Sequence, residues 1–341
     1  FGSSFDVPRI MFEYDPNENL FLTSFRYTAT VLELIAHNRQ YWAVVAFHLF
    51  FCALFRGGLV EKPGPDDRFF LPWKLLGTLT GLHTFFLIFY TNHCFKRYYE
   101  LYGLTRSIVT GLLEMTQELR IRLPNPERRA IITGARRSAL RFCFINVYLF
   151  FFWISGHKTT DAELDELVNH GLVSRVERDW LKNYEGQKHS VVLDWTLEIA
   201  RVAVGSNQAR PLFNIICDLR THQTYIEDML SMPVPFQYFH LMNLMMCLSF
   251  VGWAYGMAMY DSWIATFIFM ASTVIFLGMR ELSGCLSDPF GEDAVDFPIS
   301  VWLLDTWREC DLFLEVECPE IWYDPRNFED APLLWQKRAA H

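Results

Sequence analysis

The chain has 341 residues, of which 51% are hydrophobic and 16% aromatic, and its formal net charge is −9. This acidic balance lacks the basic excess of a nucleic-acid-binding protein, so we expect no nucleic-acid partner. A soluble domain is about 45–50% apolar, so the protein class depends on where the apolar residues lie rather than on their total.

In chain order, the first 30 residues are mixed in character and predict an arm rather than a domain. Four apolar segments without Asp, Glu, Lys or Arg follow, and a helix that spans a bilayer needs about 20 such residues. The first segment is the shortest. The four are residues 41–55, 75–95, 234–260 and 263–279. We therefore predict an all-α membrane protein with four transmembrane helices per subunit, embedded in a lipid bilayer.

The apolar run at residues 142–154, between the second and third predicted spans, is interpreted differently. It is very apolar but short, and short apolar runs of about 10–14 residues are typical of buried core helices. Residues 101–123 before it show an amphipathic helical pattern that ends at Pro124. We predict that both belong to a helical region outside the membrane.

The charge distribution predicts the orientation. Between Lys96 and Arg141 there are 10 Lys and Arg residues and 4 acids, directly after the second predicted span. Basic loops stay on the cytosolic or stromal side, so the region after the second span is expected there. With two spans before this region and two after it, both termini are expected on the same side. The predicted division is an arm at 1–30, two spans at 31–96, a helical region at 97–233, two spans at 234–284, and an acidic turn and tail at 285–341.

Motifs that would indicate an enzyme are missing from the sequence. The ten histidines form neither H-x-x-H-H nor H-E-x-x-H, and the eight cysteines form no C-x-x-C. No glycine-rich phosphate loop is present either. We therefore predict that the protein is not an enzyme, and a membrane enzyme is the weakest of the alternatives.

The second predicted span carries aromatic and polar residues at helical spacing. Phe85 and Phe89 lie one turn apart, so around a symmetry axis they would form apolar aromatic rings. The alternative is ordinary helix packing or lipid contact. Asn92 and His93 follow near the end of the span, and polar groups at membrane depth usually face an interior or water. Both are candidate pore-lining residues, although His93 fits the membrane interface equally well.

An acidic turn at residues 287–298 follows the fourth predicted span. Asp293 and Asp296 lie three residues apart, which suits two carboxylate ligands of a hard cation such as Ca²⁺. The segment does not fit the EF-hand pattern, because Gly291 comes too early. The alternative is a helix start, in which Glu292 and Asp293 complement the helix N-terminus.

Four motifs in this order resemble the bestrophin family of pentameric anion channels. Residues 288–297, D-P-F-G-E-D-A-V-D-F, are similar to the family's N-P-F-G-E-D-D-D-D-F calcium clasp. Residues 85–99 resemble its pore helix, which reads F-x-x-x-F-Y and then R-W-W. Residues 168–172 with Glu177 and Leu181 resemble a cytosolic segment. Residues 219–221 with 231–233 resemble the L-R-T…S-I-P pattern before the third span.

The resemblance implies a homopentamer around one central pore. The family's neck has three apolar residues, which correspond here to Gly81, Phe85 and Phe89, so Gly81 departs from the pattern. The resemblance also implies a lower constriction within residues 191–204.

The resemblance further implies a calcium site that braces or gates the neck. Asp293 and Asp296 match two of the family's acids, whereas Ala294 and Val295 replace two others. The remaining ligands would be backbone carbonyl oxygens, at Asp288, near Cys285 and in the N-terminal arm.

The expected function is an anion channel for chloride, with bicarbonate and nitrate as further candidates. The alternative is a non-conducting scaffold subunit of a membrane complex, which Gly81 and the altered clasp motivate. Family members occur in plasma membranes and in thylakoids. The reduced acid count favours an algal or protist relative and so the thylakoid over the plasma membrane, without deciding between the two membranes.

Overall fold

The computed structural model describes residues 19, 23–28, 30–122, 129–156, 161–204, 209–260, 262–291, 293 and 295–315. Within these residues every regular element is a helix and no strand is present, which confirms the all-α prediction. The N-terminal arm falls largely outside the described residues, as do Glu292, Ala294 and the tail after residue 315.

The described helices are, in chain order, α1 (Val31–Ala36), α2 (Arg39–Arg56), α3 (Trp73–Arg122), α4 (Arg129–Ile154), α5 (Asp161–Asn169), α6 (Arg175–Asn183), α7 (Lys188–Val204), α8 (Arg210–Ser231), α9 (Phe236–Ala258), α10 (Trp263–Ser287) and α11 (Ile299–Glu315).

Helix α3 is the longest of these helices, with 50 residues. At 1.5 Å per residue it is about 75 Å long, more than twice the thickness of a hydrocarbon core. It joins the predicted span at 75–95 to residues 101–122 of the amphipathic segment without a break, so the predicted boundary between residues 96 and 97 falls inside one helix. Helix α3 therefore contributes to two hydrophobic cores. It adds Leu76 to a first core, and Leu101, Leu112 and Leu119 to a second core.

The first core contains the helices with the longest apolar segments. It buries side chains from α2, α9 and α10, among them Val45, Phe250 and Phe269. Glycines in α9 let α3 approach closely, because a Cβ at Gly252 would lie 2.6 Å from a methyl carbon of Leu76. Close approach through small residues is typical of helix packing in membranes.

Three described segments are long and apolar enough to cross a bilayer by length and composition: Gly134–Ile154, Phe236–Ala258 and Trp263–Ser287. The last two coincide with the third and fourth predicted spans. The predicted spans in α2 and α3 do not meet this criterion, and polar residues such as His48, His83 and Asn92 lower their hydropathy. The count of four spans remains a prediction.

The apolar segment of α4 lies mainly inside the second core. Of the window at Gly134–Ile154, 61% is buried inside the protein, compared with 44% and 33% for the windows in α9 and α10. Phe150 is fully buried among side chains of α3, α7 and α8, including Leu112, Leu193 and Ile216. The burial supports the interpretation of residues 142–154 as a core helix.

A buried polar network crosses this second core. The side-chain amide of Asn146 donates to the carbonyl oxygen of His189 at 2.8 Å, and that of Gln223 donates to Asn146 Oδ1 at 2.8 Å. The His189 ring lies against Phe150 and Trp153. Burial lowers the pKa of His189 to about 4.

Candidate pore-lining face and acidic turn

One face of α3 is exposed along its apolar half. Successive residues of a helix are about 100° apart, so Gly81, Phe85, Phe89 and Asn92 lie within one narrow stripe. All four are exposed, and the two phenylalanines are 64% and 59% exposed. At the depth of the predicted span, an aromatic stripe that its own chain leaves largely exposed would contact lipid, another copy or a lumen.

The opposite face of α3 is packed. Leu87, Tyr90 and Cys94 are at most 5% exposed and contact residues of α9 and α10. On the exposed side the stripe continues through Lys96, 78% of whose side chain is exposed. The rotation of α3 is therefore set by its own chain. The predicted neck residues lie on the more exposed side, where the Phe89 ring also contacts Tyr238 of α9.

Gly81 leaves open space at its place in the stripe. No heavy atom beyond its own helix backbone and chain neighbours lies within 4 Å of a Cβ built at this position, and its φ lies outside the left-handed region. A Cβ at this position would therefore fit without moving neighbouring groups. The departure from the family pattern is a missing side chain on the exposed face.

The two candidate polar residues of the pore helix separate in the structure. Asn92 lies in the stripe, whereas His93 is turned about 100° away. His93 lines a cleft of about 690 Å³ between α3 and α8, together with Arg97, Tyr225 and Asp228. Of the two, Asn92 has the position expected of a pore-lining residue.

The acidic turn after α10 is held by its own hydrogen bonds. The Asp293 backbone N–H donates to the Asp296 carboxylate at 2.5 Å, and the Asp296 N–H donates to the Asp293 carbonyl oxygen at 3.2 Å. The Phe297 N–H donates to the carbonyl oxygen of Pro289 at 3.0 Å. Phe290 and Phe297 anchor the turn in the second core.

Three of the four predicted calcium-site residues lie together. Asp296 is 8% exposed, Asp293 is exposed, and the Cys285 thiol lies near enough to interact electrostatically with both carboxylates. The Asp288 side chain instead accepts a hydrogen bond from the Phe290 N–H at 3.4 Å. Its predicted contribution is the backbone carbonyl oxygen, which this side-chain arrangement does not affect.

The fit of this turn to Ca²⁺ is partial. Its carboxylates are the oxygen ligands that Ca²⁺ prefers, but the ion takes six to eight of them. Within the described part of the chain, no group of three or more His, Cys, Asp and Glu residues is placed to hold a metal. One Asp296 oxygen also accepts the Asp293 N–H. Carbonyl oxygens or water would have to complete the site.

Two residues at the end of the predicted pore segment connect α3 to the turn, and the sequence interpretation assigned them no role. Tyr98 donates through its hydroxyl to the Val295 carbonyl oxygen at 2.9 Å. Arg97 donates through Nε to the Ser287 carbonyl oxygen at 3.0 Å and through Nη1 to that of Met232 at 2.8 Å.

The surroundings of these two residues perturb their ionisation. Burial lowers the pKa of Arg97, and the Asp288 carboxylate partly offsets this. Burial raises the pKa of Tyr98, and the Asp296 carboxylate adds to it. In the sequence, both residues belong to the part of the pore-helix motif that corresponds to R-W-W, but the motif did not show their contacts with the turn.

The region of the predicted lower constriction lies on α7. Its exposed side chains include Asp194, Glu198, Arg201 and Val202. Arg201 pairs with Glu198 at 2.5 Å, and Asp194 pairs with Arg220 of α8 at 2.7 Å. Val202, 75% exposed, is the large apolar side chain that α7 presents outward within its described residues.

Comparison with protein-family models matches residues 15–307 to the model described as bacterial/fungal bestrophin protein. No curated protein matches the sequence. A solved structure of a bacterial bestrophin homolog from Klebsiella pneumoniae, carrying a point mutation, matches with a TM-score of 0.67 and 14% identity. The match covers 81% of this chain and 98% of the homolog.

Two further solved structures, each described as a point variant of a membrane protein, match with a TM-score of 0.68. One is 14% identical, with coverage of 84% of this chain and 100% of the other. The second is 15% identical, with coverage of 82% and 98%. At these identities the structures establish the fold.

Proposed function

The chain belongs to the bestrophin family, and on this premise we propose that it is the subunit of an anion-selective membrane channel. The observation that carries the proposal is the uncovered stripe of Gly81, Phe85, Phe89 and Asn92 on α3. In a homopentamer around one axis, five such stripes would line a common lumen. The packing of the opposite face against α9 and α10 supports this orientation.

The aromatic residues of this stripe suit a dehydrated anion. The edges of aromatic rings carry partial positive charge, so rings of Phe85 and Phe89 would tolerate an anion that has lost part of its hydration shell. An apolar constriction of this kind also closes readily by dewetting. Chloride is the proposed ion, with bicarbonate and nitrate as further candidates.

The exposed amine of Lys96 lies one turn below Asn92 on the same stripe. A cation at the mouth of a narrow apolar passage raises the local concentration of anions. Glu100 lies 3.7 Å from this amine and reduces the effect, since it carries the opposite charge. The net effect of the two charges at Asn92 still favours anions, because Lys96 lies closer to Asn92 along the helix than Glu100 does.

We further propose that the acidic turn binds calcium. Asp293 and Asp296 would supply carboxylate oxygens, and the backbone near Cys285 and Asp288 would supply carbonyl oxygens. Bound calcium would offset the repulsion between the two carboxylates. The hydrogen bond from Tyr98 would connect the braced turn to α3, so that the rotation of the pore-lining helix depends on the order of the turn.

A non-conducting scaffold subunit is the second candidate. Two observations favour it: Gly81 leaves one neck position without a side chain, and the described part of the turn offers two carboxylates rather than a larger set. As the membrane we propose the thylakoid rather than the plasma membrane, on the reduced acid count alone. Fractionation of source cells tests that placement.

The decisive experiment combines particle symmetry with ion flux. Purified protein in detergent should show five-fold symmetry by electron microscopy. Liposomes that contain it should release chloride faster than liposomes without protein. The release should require a permeant counter-ion, which distinguishes channel flux from general leakage of the vesicles. Five-fold particles without flux would support the scaffold, and monomeric particles would refute both candidates.

A further inference from the structure

A cleft of about 650 Å³ lies between α2, α9 and α10, away from the exposed stripe of α3. Most of its lining is apolar and includes Phe47, Phe250 and Val251. Three polar residues, Gln40, Asn243 and Arg280, also line it. A cleft between membrane helices is filled by a molecule of matching polarity, because a void loses the contacts of its walls.

The polar residues gather at one end of the cleft. Gln40 is the second residue of α2, Asn243 lies two turns after the start of α9, and Arg280 lies two turns before the end of α10. The predicted topology places these three helix ends on the cytosolic or stromal side. Phe47 and Val251 lie about two turns further towards the other side. The cleft therefore changes from polar to apolar along the membrane normal.

Arg280 provides the charge at the polar end. Its Nε donates to Asn243 Oδ1 at 2.9 Å, its Nη1 pairs with Glu281, and its guanidinium lies 5.7 Å from the centre of the Phe239 ring. These contacts hold the guanidinium in place and leave Nη2 available to a ligand in the cleft. Only 19% of the side chain is exposed, so an anion bound there would be partly shielded from water.

We propose that this cleft binds one anionic phospholipid, with its phosphate on Arg280 and an acyl chain along Phe47 and Val251. A guanidinium donates to phosphate oxygens in a fork that an amine cannot match. Basic pockets between membrane helices on the cytosolic side bind anionic headgroups. The inference depends on membrane insertion and on the predicted topology, but not on anion conduction.

The test measures which lipids remain on the protein. Wild-type protein is reconstituted in nanodiscs with equal amounts of phosphatidylglycerol and phosphatidylcholine, and the retained lipids are counted by native mass spectrometry after transfer to detergent. The expected result is retained phosphatidylglycerol in excess over phosphatidylcholine. Arg280→Gln should lower this ratio about fivefold, since one basic residue near a headgroup has an effect of that size.

Two further variants test the charge and the shape separately. Glu281→Gln removes the carboxylate that competes for Arg280, so the phosphatidylglycerol excess should rise. Val251→Trp fills the apolar end, so retention of both lipids should fall while the headgroup preference stays. Arg56→Gln, at the opposite end of α2, is the matched control and should leave the ratio unchanged.

The outcomes decide the proposal even if Arg280→Gln fails to fold, because Glu281→Gln and Val251→Trp leave the guanidinium in place. An unchanged ratio in Arg280→Gln and Glu281→Gln would overturn the headgroup assignment. Unchanged retention in Val251→Trp would overturn the acyl-chain assignment. Equal retention of phosphatidylcholine and phosphatidylglycerol would show ordinary annular lipid. An oligomer in which a second copy of the chain fills the cleft would show that the cleft is a subunit interface instead.

Discussion

The hydroxyl of Tyr98 donates a 2.9 Å hydrogen bond to the carbonyl oxygen of Val295, so the longest helix is bonded directly to the acidic turn. The two residues are 197 positions apart in the chain. Asp296, the next residue after Val295, closes the turn by accepting the Asp293 N–H. This phenol therefore connects the order of the turn to the position of α3, together with the Arg97 bond to Ser287 and the contact between the Tyr98 and Phe297 rings.

Tyr98→Phe should loosen this connection. A hydrogen bond of this type contributes about 1 kcal/mol to stability, and its loss leaves the Val295 carbonyl oxygen without this donor. We expect faster backbone hydrogen exchange at residues 288–297 and a slightly lower melting temperature. Tyr99→Phe is the matched control, because Tyr99 is 58% exposed. Equal exchange in both variants would argue against the connection.

Phe85→Ala with Phe89→Ala should widen the proposed neck. Because two aromatic rings per subunit are removed, planar-bilayer recordings should show larger single-channel currents and weaker discrimination among anions of different size. The control is Phe267→Ala on α10, a phenylalanine that is 72% exposed but lies outside the stripe. Currents unaltered by the double substitution would reject the neck assignment.

Gly81→Leu should narrow the entrance. The site has room for a side chain, so the substitution adds an apolar ring without disturbing the fold. We expect single-channel conductance to fall severalfold. Gly134→Leu is the control, since Gly134 also has open space around its Cβ position but lies on α4 rather than on α3. Equal conductance in the two variants would show that residue 81 does not face the lumen.

Asp293→Asn with Asp296→Asn should abolish binding of calcium by the turn. Asparagine keeps a carbonyl acceptor for the Asp293 N–H, so the turn itself should persist. Calcium at 100 times its dissociation constant would stabilise the wild type by about 2.7 kcal/mol, and chelation should reverse this. The matched control is Asp66→Asn with Asp67→Asn, which removes the same charge from the loop after α2 and leaves the acidic turn intact. A wild-type melting temperature that changes with neither calcium nor chelator would refute the proposed calcium site.

His189 predicts a pH dependence of stability. Its pKa is about 4 in the folded protein, whereas an unfolded histidine has a pKa near 6.5. Between these values the unfolded chain binds more protons, so the free energy of unfolding falls as the pH falls from about 6.5 to 4, by about 3 kcal/mol at most.

Neighbouring charges modify this effect of His189. Glu227 lies 3.6 Å from the His189 ring, and burial raises the pKa of the Glu227 carboxyl. Protonation of this carboxyl therefore stabilises the folded protein as the pH falls, which partly offsets the loss of stability caused by His189. Arg220 acts with burial to keep the imidazole neutral. In melting temperatures measured against pH, His189→Gln should therefore lose less stability on acidification than the wild type. His37→Gln, on the surface, should follow the wild type; identical curves for all three would contradict the assignment.

Much of the architecture could be predicted from local pattern. The charge-free segments of α9 and α10 were recognisable as spans because hydropathy is a property of the residues themselves. The apolar run at 142–154 needed its length as well, and its burial against Leu112 and Leu193 supports the core interpretation. The motifs around residues 85–99 and 288–297 identified the family, since they preserve order and spacing even at low identity.

Other features depended on contacts between distant parts of the chain. Periodicity placed Phe85 and Phe89 on one face but could not say which face α9 and α10 would cover. Asn92 and His93 looked equivalent until packing put one in the stripe and the other in a cleft. Arg280 was one charged residue near the end of an apolar segment until Asn243 and Gln40 joined it in the same cleft.

The amino-acid sequence by itself determined the helical class, the apolar segments of α9 and α10 and the family, because hydrophobicity, charge and spacing act over a few turns of one helix. Only the tertiary structure decided the rotation of α3, the bond from Tyr98 to Val295 and the polar end of the cleft between α2, α9 and α10. Each of these requires side chains from different helices to approach within a few ångströms, and that proximity results from packing the whole chain rather than from any one segment.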